Sequence, residues 1–241
     1  MSACFAVLPA AGSGSRFGAQ HAKQYALLDG QTVMAHTVQR LLSVPEITDI
    51  AVVLAAHDQL AERVIAGLPV CRVIGGAERM DSVLAGLLAL TDAHDDDWVL
   101  VHDIARPLVR PDDIRRLLTA CADDPVGGLL AHAVRDTIKR TQPVAQGQVA
   151  DSRCVAQTIP RDELMHALTP QLFRYGLLRD ALLAARADGV VVTDEAAAME
   201  RLGHSPRLVT GARDNLKITY ADDLALAEFY LAQQRAQGVC P

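Results

Sequence analysis

The chain has 241 residues, 50% of them hydrophobic, which is enough for one large domain with a sizeable core. Its formal charge of −6 and the lack of a basic stripe exclude a surface of the kind that binds nucleic acid or an anionic membrane. No apolar run approaches the roughly 20 residues that span a bilayer, and the start of the chain lacks the basic segment of a signal peptide. We therefore expect a cytoplasmic protein with no nucleic-acid partner and no membrane partner.

The five cysteines indicate the same compartment. They are scattered at positions 4, 71, 121, 154 and 240, and no two of them form a Cys-x-x-Cys pair. An odd and scattered set argues against a disulfide framework. None of the eight histidines has the spacing of a zinc ligand with another His or Cys, so we expect no zinc site.

In the first half of the chain, short apolar runs alternate with amphipathic segments. The apolar runs predict buried strands at 4–9, 49–56, 70–76, 97–103 and 127–134. The segments between them predict helices at 32–44, 58–68, 81–90 and 110–122. This alternation is typical of an α/β fold in which a mostly parallel sheet carries helices on both faces. We expect residues 1–241 to form a single domain.

Residues 134–161 have a different character, because they are polar and hold few large apolar side chains. The segments "VRDTIKR" (134–140) and "SRCVAQTI" (152–159) could pair as a hairpin. A two-stranded hairpin with so little to bury is not stable alone, so it either lies over the domain or projects and packs on another subunit. A plain surface loop fits the composition equally well. Helix and strand patterns resume after it, including the strand-like run "NLKIT" (215–219).

Three strand-to-helix loops are expected to lie together. They span 10–18, 75–82 and 103–110, and each follows a predicted parallel strand. In parallel sheets, ligands bind beyond the carboxyl ends of the strands. The three loops therefore predict a single site at one edge of the sheet.

The first loop, within "PAAGSGSRFGAQHAKQY" (9–25), leaves two interpretations open. Gly12 and Gly14 match the first two glycines of a dinucleotide-binding turn, but Phe17 occupies the position of the third. Arg16 and Lys23 suit a nucleoside triphosphate, because cations stabilise charge on the α-phosphate and on the leaving pyrophosphate. Two solvated cations on a surface loop would explain the same residues.

The second and third loops carry candidate base-binding and metal-binding groups. Gly75 and Gly76 would let a flat base approach the backbone, while Ser82 would either cap the next helix or hydrogen-bond a base. Asp103 ends a buried strand, where its carboxylate could hold Mg²⁺ or a substrate hydroxyl. Arg106 could pair with Asp103, which is the common structural outcome for such neighbours.

Three further residues have to be considered for the site. His102 is expected to point into the sheet and to have no role in a site. Thr193, in "TDEA", and Lys217 come late in the chain. Because Lys217 lies in a strand-like run, it is either at an exposed edge or aimed at a site.

Eight motifs occur in an order and spacing that resemble a known family. They are "PAAGSGSRFG", "AKQY", "VHDIARP", "VRDTIKR", "HALTPQ", "TDEA", "DNLKIT" and "DLALAEFYL", which together span nearly the whole chain. The chain resembles the 2-C-methyl-D-erythritol 4-phosphate cytidylyltransferases of the non-mevalonate isoprenoid pathway. The resemblance implies a Rossmann-like nucleotidyltransferase fold with a projecting β-arm at 134–161, a homodimer, and a requirement for Mg²⁺.

The resemblance also implies a role for each matching residue. Arg16 and Lys23 would neutralise the triphosphate and stabilise the transition state, with Arg161 and Lys217 as further catalytic cations. Cytidine would be held by Ala10, Ala11, Gly12, Gly14, Gly76 and Ser82. The methylerythritol phosphate would be lined by Asp103, Arg106, Thr193 and Lys217, with Asp103 also the expected metal contact. Thr137 and Arg161 would lie on the arm and enter the site of the partner subunit.

Three positions depart from the family's usual pattern. Ala22 stands where many members have proline, Ile104 replaces a small residue, and the sequence around Arg161 is unusual. No departure removes a charged group that the chemistry needs. The alternatives are a cytidylyltransferase for another polyol phosphate such as ribitol 5-phosphate, an NAD(P)-dependent oxidoreductase, and a paralogue that binds nucleotide without turnover.

Overall fold

A seven-stranded sheet with helices on both faces forms the centre of the protein. The computed structural model describes residues 2–12, 17, 22–143 and 153–239. The strands run in the order β11-β7-β10-β6-β1-β4-β5. Their bounds are β1 Cys4–Pro9, β4 Asp49–Leu54, β5 Cys71–Ile74, β6 Trp98–Val101, β7 Gly127–Ala133, β10 Met165–Arg174 and β11 Arg207–Thr210. Two short strands, β2 Leu27–Leu28 and β3 Gln31–Thr32, pair separately.

Seven α-helices surround or flank this sheet in the described part of the chain. They are α1 Val33–Leu42, α2 Gln59–Val64, α3 Arg79–Ala89, α4 Pro111–Cys121, α5 Tyr175–Ala187, α6 Glu195–Arg201 and α7 Asp223–Ala236. The residues of β1 alternate between the two faces of the sheet, as a strand's pleat requires. Ala6 packs in a core with α1, α2 and α4, whereas Val7 packs in a second core with α3, α5 and α6. The fold class predicted from the sequence is confirmed.

One strand of the seven-stranded sheet, β10, was missed by the sequence pattern. It runs antiparallel to both β6 and β7, whereas the other pairings in the sheet are parallel. Its register against β7 shifts between Ala167 and Gln171, and Pro170 lies inside this irregularity. Proline cannot donate to a strand ladder, and the first three residues of β10 are exposed. The segment therefore does not read as a buried strand in the sequence.

A second correction concerns residues 215–219. The sequence pattern "NLKIT" resembles a strand, but these residues adopt no regular strand or helix. The segment is instead an extended connection whose Ile218 N–H donates to the Ala105 carbonyl at 2.9 Å. The short apolar alternation in this segment resembles a strand, but its cause is different. Ile218 is buried against a loop, and the segment does not join a sheet.

The predicted hairpin is present as a two-stranded sheet of its own. β8 (Ile138–Pro143) pairs antiparallel with β9 (Arg153–Ile159), and almost all of its described side chains are exposed. The connection between the strands lies outside the described residues. Among the described helices, none combines the length and the apolar character that crossing a bilayer requires.

Candidate functional site

The carboxyl ends of the central parallel strands enclose a cavity of about 350 Å³. The loops after β1, β5 and β6 line it, as predicted, and the 215–219 segment closes one side. The predicted site residues found in its lining are Ala10, Ala11, Gly12, Lys23, Gly76, Ser82, Asp103 and Lys217. Two other predicted residues, Gly14 and Arg16, lie outside the described part of the chain.

The first two loops approach each other so closely that one of them requires glycine. A Cβ atom on Gly75 would lie 2.6 Å from the Ser82 hydroxyl oxygen and 2.9 Å from the Ala11 Cβ atom. Both distances are shorter than real side-chain contacts, so only glycine fits at this position. The close approach brings the backbone of the two loops to the same wall of the cavity.

Gln24, which sequence reasoning did not single out, holds the first loop in place. Its buried side-chain amide donates to the Ala10 carbonyl at 3.0 Å and to the Gly12 carbonyl at 3.4 Å. Gln24 follows Lys23 in a short 3-10 helix, Lys23–Tyr25. The Tyr25 hydroxyl donates to the Asp58 carboxylate, which also accepts from the first turn of α2. The turn that carries Lys23 is thus attached on both sides.

Phe17 has a structural explanation. It is buried in a small cluster with Leu28, Leu108, Ile218 and other apolar side chains, packed against α7. The aromatic residue at the position of a third glycine is therefore a packing residue.

Ser82 does not cap its helix, which corrects one of the two roles considered for it. α3 begins at Arg79, two residues earlier than predicted, and Glu78 is the capping residue. The Glu78 N–H donates to the Asp81 carboxylate at 3.3 Å. Ser82 lies in the first turn, where its buried hydroxyl donates to the Glu78 carbonyl at 3.3 Å and faces the cavity.

Three cations surround the Asp103 carboxylate. Its Oδ2 atom lies 2.8 Å from the Lys217 Nζ and 3.5 Å from the Arg106 Nε, and its Oδ1 atom lies 3.2 Å from the Arg79 Nη2. Burial alone would raise the pKa of Asp103. The charges of Arg79, Lys217 and Arg106 outweigh that effect and hold the pKa well below its usual range. Asp103 is therefore ionised and acts as the centre of a cationic cluster.

Arg79 bridges Asp103 to a second carboxylate, Glu195. The Arg79 Nη1 and Nη2 atoms lie 2.6 Å and 3.1 Å from the two Glu195 oxygens. Burial raises the pKa of Glu195, and Arg79 works against that rise. Arg79 has a signal in the sequence, since it follows the glycine pair of a ligand loop. Glu195 has none, because an acid in the first turn of a helix is ordinary.

His102 is fully buried, as predicted, and fixes the loop that follows β6. Its Nε2 donates to the Arg106 carbonyl at 3.1 Å, and its Nδ1 accepts from the Thr169 hydroxyl at 3.0 Å. The Thr169 oxygen in turn accepts from the Asp103 N–H at 3.1 Å. This chain of hydrogen bonds holds the backbone of Asp103 in place just after the end of β6.

Lys217 reaches the cluster because its segment is tied to the same loop. Arg106 Nη1 donates to the Asn215 carbonyl at 2.8 Å, and the Asn215 amide donates to the Thr169 carbonyl at 2.7 Å. Together with the Ile218 hydrogen bond described above, these contacts place Lys217 in the wall of the cavity. Of the two positions considered for Lys217, it is the one aimed at a site.

Four predicted residues lie outside the lining of the cavity. Arg106 is buried behind Asp103, and Thr193 is exposed just before the capping residue of α6. Thr137 and Arg161 are exposed at the base of the hairpin, where the Arg161 guanidinium donates to the Arg135 carbonyl. Within one chain, the structure does not bring Thr137 and Arg161 to the cavity.

The donor chemistry of the site limits how a metal ion could bind. Within the described ranges, no group of three or more His, Cys, Asp or Glu side chains is arranged to hold a metal ion. Asp103 lines the cavity, but both of its oxygens already face cations. This donor set fits a magnesium ion that brings phosphate ligands with it, since Mg²⁺ often binds through one carboxylate plus substrate phosphates. It does not fit a metal site made of protein ligands alone.

Comparisons with known proteins agree with this geometry. Residues 4–233 match the model of the 2-C-methyl-D-erythritol 4-phosphate cytidylyltransferase family. The chain is 46% identical over 237 residues to the curated enzyme of that name from Vibrio parahaemolyticus, covering 98% of each chain. It is also 46% identical over 234 residues to the enzyme of that name from Klebsiella pneumoniae, covering 96% of this chain and 95% of the other.

Solved structures agree as well. A crystal structure of a 4-diphosphocytidyl-2C-methyl-D-erythritol synthase superposes with a TM-score of 0.80 at 33% identity, covering 96% of this chain and 99% of the other. The Francisella tularensis 2-C-methyl-D-erythritol 4-phosphate cytidylyltransferase gives a TM-score of 0.78 at 32% identity, covering 95% and 100%. The fold, the cationic cavity and the matches over nearly the full length lead to one conclusion: this chain belongs to the 2-C-methyl-D-erythritol 4-phosphate cytidylyltransferase family.

Proposed function

We propose that the protein transfers CMP from CTP to 2-C-methyl-D-erythritol 4-phosphate, giving 4-diphosphocytidyl-2-C-methyl-D-erythritol and pyrophosphate. The observation that carries the proposal is a cavity that joins a nucleotide loop to a cluster of cations in a chain of this family. Family membership argues against the oxidoreductase alternative, because the family's enzymes are nucleotidyltransferases.

The reaction is an in-line displacement at phosphorus. An oxygen of the acceptor's phosphate attacks the α-phosphorus of CTP, and the bond from that phosphorus to the oxygen bridging to the β-phosphate breaks. Pyrophosphate leaves with the bonding electron pair. The attacking phosphate is already an anion near neutral pH, so no general base is required. The difficulty is to bring two polyanions together, which positioned cations do by stabilising charge as it develops.

The residues divide between the two substrates. Lys23 and Arg16 are assigned to the triphosphate, because Lys23 lines the cavity beside the nucleotide loop and Arg16 belongs to that loop. Lys217, Asp103 and the buried Arg106 are assigned to the acceptor side. The backbone of the first loop and the Gly76–Ser82 wall are assigned to cytidine, together with Gly14; Thr193 is assigned to the acceptor.

Magnesium belongs to the proposal as a partner of the triphosphate. When bound, Mg²⁺ would neutralise phosphate charge, and Asp103 is the carboxylate of the cavity that would hold it. Phosphate oxygens and water would complete its coordination. Treatment with a chelator is expected to abolish turnover, and addition of Mg²⁺ is expected to restore it.

We further propose that the protein works as a cytoplasmic homodimer. Thr137 and Arg161 lie away from the cavity of their own chain, on a hairpin that buries little of itself. In a dimer, both residues would reach the cavity of the partner subunit and contribute to its site. Sedimentation is expected to show a dimer, and a fully active monomer would remove any role for these two residues.

The decisive experiment is pyrophosphate release from CTP with a panel of polyol phosphates. Turnover is expected with 2-C-methyl-D-erythritol 4-phosphate and little with ribitol 5-phosphate. Lys23→Ala and Arg16→Ala are each expected to lower kcat by about 10²-fold or more, because each removes a charge that stabilises the transition state. Arg63→Ala, which removes an exposed cation of α2, serves as the matched control. Near-normal turnover in Lys23→Ala would refute the assignment of the triphosphate.

A further inference from the structure

Glu195 is a buried carboxylate that does not line the cavity. Only 1% of its side chain is exposed, and it occupies the first residue of α6. Taking a carboxylate out of water is costly unless a cation and hydrogen bonds compensate for it. Both of its oxygens are compensated by one guanidinium, that of Arg79.

Arg79 also contacts Asp103, which lines the cavity. The nitrogen that lies 3.1 Å from Glu195, Nη2, also lies 3.2 Å from the Asp103 Oδ1 atom. The other Asp103 oxygen lies 2.8 Å from the Lys217 Nζ. Four side chains from four separate segments therefore alternate in charge: Glu195, Arg79, Asp103 and Lys217. The series joins α6 and α3 to the loop after β6 and to residues 215–219.

From this arrangement we infer that Glu195 is a positioning residue, which holds Arg79 so that Asp103 keeps Lys217 aimed at the acceptor phosphate. The inference rests on the proposed function, since it assigns Lys217 to the acceptor. Glu195 cannot touch substrate itself, because it is buried behind Arg79.

The charge of the cluster explains why a second carboxylate is needed. Arg79, Arg106 and Lys217 are three cations, and Asp103 alone would have to serve all of them. With Glu195 present, Arg79 is held mainly by a partner outside the cavity, and its shortest contact is to Glu195 at 2.6 Å. Without that partner, Arg79 would compete with Lys217 for Asp103. The ammonium group would then lose its fixed direction.

Glu195→Gln is the direct test, because it keeps the shape of the side chain and removes its charge. We expect kcat/KM for 2-C-methyl-D-erythritol 4-phosphate to fall about tenfold, since a charge-assisted bidentate contact is replaced by a weaker one. The KM for CTP is expected to stay unchanged. Glu200→Gln removes an exposed acid from the same helix and is expected to leave both parameters unchanged.

A double-mutant cycle tests whether Glu195 acts through Arg79. Arg79→Gln alone is expected to impair acceptor turnover, and adding Glu195→Gln to it is expected to cause no further loss. Additive losses in the double variant would overturn the inference, and so would normal acceptor kinetics in Glu195→Gln.

Two further measurements separate positioning from mere structural support. The melting temperature of Glu195→Gln is expected to fall by no more than a few degrees, because the Arg79 guanidinium loses its Glu195 partner but still pairs with Asp103, so the kinetics report on folded protein. The ¹⁵N–¹H signal of the Arg79 guanidinium, assigned by its absence from Arg79→Lys, is expected to broaden in Glu195→Gln. An unchanged signal would overturn the inference.

The guanidinium signal also separates this inference from the proposed function. Absence of CMP transfer by the unaltered protein would refute the proposed function. The behaviour of Arg79 in Glu195→Gln would still support or overturn the positioning contact, since it is measured without turnover.

Discussion

Acidification should destabilise the protein through His102. This side chain is fully buried, donating from Nε2 to the Arg106 carbonyl and accepting at Nδ1 from Thr169. Burial lowers the pKa of His102 to about 4, from 6.5 for an exposed histidine. Because the folded pKa lies below the unfolded one, the unfolded chain binds the proton first as the pH falls. Stability is therefore lost between about pH 6.5 and pH 4.

The size of the loss follows from the two pKa values. At about pH 5, an unfolded histidine is almost fully protonated whereas folded His102 is almost fully neutral, which corresponds to about 2 kcal/mol of lost stability. The full difference, reached below about pH 4, is about 3 kcal/mol. The measurement is denaturant unfolding at about pH 7.5 and at about pH 5.

His102→Gln provides the comparison, since glutamine offers a donor and an acceptor but does not titrate. The substitution will change the absolute stability, so the quantity to compare is the change in unfolding free energy between the two pH values. Other groups titrate in both proteins and cancel. If the unaltered protein and His102→Gln lost the same stability on acidification, the reasoning about His102 would be refuted.

Three other substitutions test the site and the fold. Gln24→Glu places a carboxylate against two loop carbonyls, so the KM for CTP should rise about tenfold while the acceptor KM changes little; equal effects on both substrates would contradict its role. Phe17→Ala should lower the unfolding free energy by about 3 kcal/mol because it empties a buried cluster, and denaturant unfolding measures this. Gly86→Ala would place a Cβ atom 2.5 Å from Val7, so a net loss of about 1–2 kcal/mol is expected despite better helix propensity. A more stable Gly86→Ala variant would show that the contact relaxes freely.

Local pattern was enough to predict most of the parallel half of the fold. The run Cys4–Pro9 is a strand with the predicted bounds, and the other four predicted strands and four predicted helices of that half are all present, with ends shifted by up to a few residues. Buried parallel strands read clearly because both faces demand apolar side chains. β10 did not, because its exposed start and its proline hide a buried middle section.

For the candidate site, too, the sequence predicts the location but not the contacts that hold the residues in place. Loops that follow parallel strands could be assigned to one edge before the structure was known, because topology alone brings their ends together. Ala11, Gly76, Asp103 and Lys217 do meet there. Some of the side chains that hold these residues in place have no recognisable signal in the sequence. Gln24 acts through bonds to backbone carbonyls, which no spacing rule records.

What the sequence by itself determined is most elements of the parallel half of the fold, the edge at which the ligand loops meet, and the family resemblance, because these depend on local periodicity and on ordered motifs. What only the tertiary structure decided is which charges pair. Arg79 and Glu195 are 116 residues apart, yet their side chains meet at 2.6 Å. The energy of such a contact depends on distance and burial, and neither quantity is set by separation along the chain. The contact between Lys217 and Asp103 likewise depends on the tertiary structure, because an extended segment whose sequence pattern predicts a strand carries Lys217 to the cavity.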